Sequence, residues 1–199
     1  MNPLKSVSGA LITGFILMII ISLLLPATAD VTVNLAALDR WLHIVSGVFW
    51  IGLLYYFNVV QIPALAAGLA DKGGPGNAGI VKYVAPRALL WFRWGAVVTV
   101  LSGALLMEFT YGGGGLMKGL AFREGLETIG VGGWFGIIML FNVWVFIWPN
   151  QKKVIGVVPA TDEEKAKARA TATMVSRINF ILSIPMLMAM GGQSHGLPF

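Results

Sequence analysis

Cysteine is absent from all 199 residues. Without it there are no disulfides, no iron–sulfur clusters, no thiolate zinc sites and no haem attached through Cys-x-x-Cys-His. Any haem must be held by His or Met. Charge is scarce too: Asp, Glu, Lys and Arg together make up 12%, where a soluble domain carries roughly 25%. Half of the expected solvating surface is missing, while hydrophobic residues reach 57% and the mean hydropathy is +0.79. A soluble globular protein is excluded, and the expected fold class is an all-α integral membrane protein. The net charge of +5 would point to nucleic acid in a soluble protein. Here the clustering of Lys and Arg in loops on one side explains it, so no nucleic-acid partner is expected.

What is present is a series of apolar runs. Crossing the hydrocarbon takes about 20 apolar residues as a helix. Five segments qualify within one membrane domain, 1–199: residues 8–26, 38–61, 86–109, 128–148 and 175–190. The last is short and lengthens if 168–174 continues the same helix. Pro86 suits a first helical turn, whereas Pro26, Pro63 and Pro149 stand where a proline ends propagation. Lys5, the first apolar run and Ala27-Thr28-Ala29 mimic a signal peptide with its cleavage site. The segment is retained in the chain and is read as a membrane helix.

The charges set the topology. Of the 14 Lys and Arg, one side receives Lys5, Lys72, Lys82, Arg87, Lys152, Lys153, Lys165, Lys167, Arg169 and Arg177. The other receives Arg40, Lys118 and Arg123, with Asp30, Asp39, Glu108, Glu124 and Glu127. Arg93 sits inside the third span, where it snorkels or pairs with buried polar groups. The expectation is a five-helix bundle with the N-terminus inside and the C-terminus outside. Asp71–Asn77 reads as a turn, Thr161 with Glu164 as a capping box, and Tyr111–Glu127 as an outer loop that is a linker, covers a site or contacts a partner. Asn58, Asn142, Asn179 and Ser183 lie within spans and require interhelical partners. The scattered methionines read as packing, and most tryptophans as interface residues.

Only two histidines remain, His43 and His195, and this topology puts both on the outer side. An intramembrane ionisable residue points to function, and imidazole is a common haem or metal ligand. Ser46 and Gly47 follow His43 at three and four positions and Trp50 at seven. Small residues there leave a flat slot for a porphyrin, or simply let two helices pack closely. His195 follows Gly191-Gly192-Gln193-Ser194, a tail able to fold back over the bundle mouth. If both ligate iron, the site is a bis-histidine b-type haem. If one does, Met107, Met190 or Glu108 is the alternative axial ligand, and Arg40, or Arg123, is placed to neutralise propionates.

Leu42-His43-Ile44-Val45-Ser46-Gly47-Val48-Phe49-Trp50-Ile51-Gly52-Leu53-Leu54-Tyr55-Tyr56-Phe57-Asn58 resembles the N-terminal membrane domain of the bacterial cytochrome-c-linked urate oxidases. So do Arg93-Trp94-Gly95-Ala96, Ile147–Lys153 and Ser176–Met186, a resemblance running from about Leu38 to His195. A weaker echo in the second span links it to membrane protoporphyrinogen oxidases that use b haem. The resemblance implies a redox protein passing electrons to a separate carrier, an external cytochrome c, since a C-terminal cytochrome c domain of the kind full-length members carry is not in this sequence. Urate as substrate is implied by the family name alone. The other reading is a non-catalytic accessory subunit of a larger respiratory, oxygenase or photosynthetic membrane complex. A transporter is disfavoured, because no repeat is evident.

Overall fold

A computed structural model describes residues 2–25 and 33–199. The features read at Pro26, Ala27-Thr28-Ala29 and Asp30 lie outside the described residues. Every regular element among the described residues is helical. Five helices are long and apolar enough to cross a membrane: α1 (Val7–Leu24), α2 (Leu35–Ala70), α3 (Ile80–Tyr111), α5 (Glu127–Val154) and α6 (Asp162–His195). A short α4 (Gly115–Leu120) lies between α3 and α5.

The chain divides into two compact units, 1–35 and 36–199. In the first, α1 follows a 3-10 turn, Pro3–Lys5. The Ser6 hydroxyl accepts from the Gly9 N–H at 3.0 Å and caps the helix. None of its residues is buried.

In the second unit α2, α3, α5 and α6 run up and down. Phe57 meets Phe92 edge to face at 5.4 Å, joining the C-terminal part of α2 to the N-terminal part of α3. Arg93 lies over Trp148, bringing the C-terminal part of α5 to the same end. At the opposite end the Gln193 side chain of α6 accepts from the Ile129 N–H at 3.0 Å and donates to the Gly125 carbonyl at 2.9 Å. The core between them is Trp50, Leu54, Phe92, Met139, Val143 and neighbouring apolar residues.

Pro185 lies inside α6, and three further prolines, Pro63, Pro86 and Pro149, sit inside helices that run on past them. The helix continues past Pro63 to Ala70 and past Pro149 to Val154, so the stops expected there do not occur. The physical reason is a π-helical segment before each of these three: Tyr56–Gln61 before Pro63, Ile80–Val84 before Pro86, Asn142–Ile147 before Pro149. Ile62, Ala85 and Trp148, the residues immediately preceding, donate five residues back to Phe57, Ile80 and Val143. A proline ring clashes with the carbonyl four residues earlier. One extra residue in the turn moves that carbonyl aside and keeps the backbone bonded.

The last helix is also longer than its apolar run. It starts at the expected capping box, with the Thr161 hydroxyl accepting from the Glu164 N–H at 3.2 Å and the Glu164 carboxylate accepting from the Thr161 N–H at 2.8 Å. From there it runs unbroken to His195, so Gly191–Ser194 are helix and not a returning tail.

Asn58, Asn142, Asn179 and Ser183 each find the interhelical partner expected of them. Asn179, fully buried, donates to the Met139 carbonyl at 3.0 Å and accepts from Asn142 at 2.8 Å. Asn58 donates to Ser176 at 2.9 Å, and Ser183 lies 3.2 Å from the Tyr55 hydroxyl. Ser176, Asn179 and Ser183 form one polar stripe on α6, and side chains of α2 and α5 are tied to it. Inside a bilayer such groups have no water to turn to.

Candidate functional site

The polar residues around His43 come from one face of α2 and the facing turn of α3. On α2, Asp39, His43, Ser46 and Trp50 repeat at helical spacing of three and four, and three of them are buried. Asp39 is 8% exposed and its Oδ2 is buried with no hydrogen-bond partner. On α3, Thr99, Ser102 and Gly103 stand opposite. A side chain at Gly103 would put a Cβ 2.8 Å from His43 Cε1 and 3.1 Å from Nδ1, so the imidazole lies against bare α3 backbone. Further along, a Cβ on Gly95 would lie 3.4 Å from the Trp50 backbone nitrogen and 3.6 Å from the Ser46 carbonyl. Glycines on α3 thus set the close approach of the two helices.

The ring itself is fixed through Nδ1. It lies 2.8 Å from the Thr99 carbonyl oxygen and 3.3 Å from the Ser102 hydroxyl. A carbonyl only accepts, so Nδ1 must carry the proton and donate. The neutral imidazole then has its lone pair on Nε2, for which no hydrogen bond is found among the described residues. This is the tautomer and the outer-shell contact that metal-bound histidines use. Ser102 is oriented in turn by donating to the Val98 carbonyl at 2.7 Å.

Of the other residues anticipated at a haem, Arg40, Ser46, Gly47 and Trp50 share the α2 stretch with His43, and the rest lie elsewhere. His195 is exposed at the end of α6, level with the α5 N-terminus, whereas Ser102 lies nine residues, about 14 Å, from the end of α3. Contacts of His43 run to α3, and none to His195 is found among the described residues. Ser46 is buried with its hydroxyl turned back to the Leu42 carbonyl at 2.8 Å. A Cβ at Gly47 would lie 3.7 Å from the Thr99 methyl, so α3 fills the small-residue slot. Trp50 is 1% exposed and belongs to the core, its Nε1 buried without a partner. Arg40 and Arg123 are exposed.

The three alternative axial ligands are engaged as well. The thioether of Met107 lies against Gly119, and that of Met190 against Gly132. The Glu108 carboxylate accepts from the Gly114 and Leu116 N–H groups at 2.8 and 2.9 Å, which docks α4 onto the end of α3. The expected outer loop is therefore an ordered cap. Lys118 pairs with Glu124 at 2.9 Å, and Trp134 Nε1 donates to the Leu120 carbonyl at 2.9 Å. Gly130 permits the contact of α5 with α4, since a Cβ there would run into the Gly119 carbonyl.

The donor set accordingly fits haem at one position, Nε2 of His43, and not at a second. No group of three or more His, Asp or Glu able to hold a metal ion is found among the described residues. Asp39, Thr99, Ser102 and Gly103 were missed as site residues from sequence. Asp39 had a signal, standing four residues before His43 on the Ser46–Trp50 face. Thr99-x-x-Ser102-Gly103 is a small, polar patch in an apolar span, legible only once α3 is known to face α2.

Residues 120–199 match the family described as Urate oxidase N-terminal. The resemblance noted in Ile147–Lys153 and Ser176–Met186 is thereby supported, although the matched stretch is the C-terminal part of this chain. The blocks around His43 and Arg93 lie outside the match. Comparison with curated proteins and with solved structures found no match.

Proposed function

We propose that this chain, with the urate oxidase N-terminal pattern over its C-terminal part, is a membrane redox protein built around His43. In this reading His43 Nε2 is the single protein ligand to a b-type haem, and electrons pass to a separate carrier, an external cytochrome c or a larger membrane complex. When bound, the haem supplies an iron that alternates between two oxidation states, at a potential set by its ligand and surroundings. The protein's own part is orientation. Thr99 holds the ring by its carbonyl, Ser102 backs it, and Gly103 leaves room for it. Buried Asp39, one helical turn away, contributes a carboxylate to the field. The observation that carries the reading is the 2.8 Å contact from Nδ1 to the Thr99 carbonyl, which frees Nε2.

Orientation follows from charge. Lys72, Lys82, Arg87, Lys152, Lys153, Lys165, Lys167 and Arg169 lie toward one end of the four-helix unit, and that end faces the cytoplasm. His43 then stands in the outer half of a bacterial cytoplasmic membrane, with exposed Arg40 on its outer side for propionates.

The test is an absorption spectrum of the purified chain in detergent, oxidised and dithionite-reduced. A Soret band with a reducible α band, lost in His43→Ala and kept in His195→Ala, is the expected result. The closure of α3 over Ser46 and Gly47 favours a second reading, a non-catalytic accessory subunit. A colourless protein that takes up no added haem and copurifies with larger membrane partners sinks the redox reading and leaves that one.

A further inference from the structure

Arg93 is a guanidinium in the middle of a membrane-length helix with no ion pair or hydrogen bond among the described residues. It lies over the ring of Trp148, 3.8 Å from the centroid. Lys152, one turn beyond Trp148 on α5, has its ammonium 5.9 Å from the same centroid. Two cations thus attend one indole, and no carboxylate among the described residues pairs with either.

An indole face attracts cations but does not neutralise them. An unpaired guanidinium in a span is costly, and the long Arg side chain escapes by reaching toward the interface. The depth of Trp148 marks that interface. It is followed by Pro149-Asn150-Gln151-Lys152-Lys153, where the apolar run of α5 gives way to polar residues. Trp148, Arg93 and Lys152 are all partly exposed, so the unit opens outward and not into the core. Its chemistry is that of a phosphate receptor: a planar fork of donors, a second flexible ammonium, and an apolar wall for the chain that carries the phosphate.

We propose that Arg93, Trp148 and Lys152 bind the phosphate diester of an anionic membrane phospholipid. The headgroup neutralises both cations, and its acyl chains follow the exposed apolar surface of Trp94 and Val145.

The test is native mass spectrometry of the full chain, delipidated in detergent and titrated with phosphatidylglycerol, phosphatidylcholine or inorganic phosphate. Phosphatidylglycerol should bind in preference to phosphatidylcholine, with each of Arg93→Gln and Lys152→Gln weakening it about fivefold. Lys165→Gln and Lys153→Gln should leave it unchanged. Arg93→Lys, which keeps the charge, should recover most of the affinity and control for misfolding. Lys152→Gln, near a helix end, carries the test if Arg93→Gln does not fold. Equal retention of both lipids, or unchanged binding in the two glutamine variants, overturns the proposal. Displacement of the lipid by millimolar inorganic phosphate overturns the lipid assignment and makes the site one for a soluble anion.

Discussion

Gly103→Ala isolates the contact between the His43 ring and α3. A Cβ at 103 would sit 2.8 Å from Cε1 and 3.1 Å from Nδ1, closer than van der Waals contact allows, so the imidazole must move. It is not free to do so without loss, because Nδ1 is bonded to the Thr99 carbonyl at 2.8 Å. Losing that bond costs about 1 kcal/mol, and forcing the ring aside adds about 1–3 kcal/mol of overpacking. Against this, Gly→Ala in a helix gains about 1 kcal/mol. The net expectation is a destabilisation of about 1–3 kcal/mol. Gly52→Ala is the reference, since nothing lies within 4 Å of a Cβ there; it should be neutral or stabilising. The decisive measurement is a double-mutant cycle with His43→Ala, read by equilibrium unfolding of the full chain in detergent. With the ring gone, Gly103→Ala should turn from costly to favourable, a coupling of about 2–4 kcal/mol. If its cost is the same with and without the ring, the clash is with something else and the account of the site is wrong.

Two other substitutions probe the frame that holds the site. Asn179→Leu removes the donor to Met139 and the acceptor for Asn142, leaving an amide unpaired, and should destabilise by about 1–3 kcal/mol. Asn142→Leu in the same chain should recover part of that loss, and no recovery would mean the two amides are not coupled. Glu108→Ala deprives the Gly114 and Leu116 N–H groups of their acceptor. It should speed proteolytic cleavage within 112–126 by about fivefold or more for each 1 kcal/mol of docking lost, with little change in unfolding of the long helices. Unchanged cleavage would show that α4 is held by packing alone.

The long helices were legible because charge is so sparse that the apolar runs stand out. The capping box at Thr161 and Glu164 was legible because it is local, and Asn58, Asn142, Asn179 and Ser183 because polar groups in a span must find partners. What stayed hidden depends on neighbours distant in sequence. Gly112–Gly115 reads as part of an outer loop until Glu108 is seen to reach forward and organise the next helix. Pro63 and Pro149 read as stops because propensity ignores the widened turn that accommodates them. His43 was identified from residue type and position. Its tautomer is set by a carbonyl 56 residues away on α3.

The proline-linked π segments bear on how this sequence should be aligned with others. Each is one residue longer than the α-helical path through the same stretch, so it stores a single-residue insertion without breaking the helix. Relatives that lack the proline have no need of the extra residue, and one-residue gaps are expected within 56–61, 80–84 and 142–147. Read without such gaps, an alignment would slip out of phase there and assign Gln61, which is buried, and the residues after it to the wrong face. The third of these stretches lies inside the matched 120–199 region.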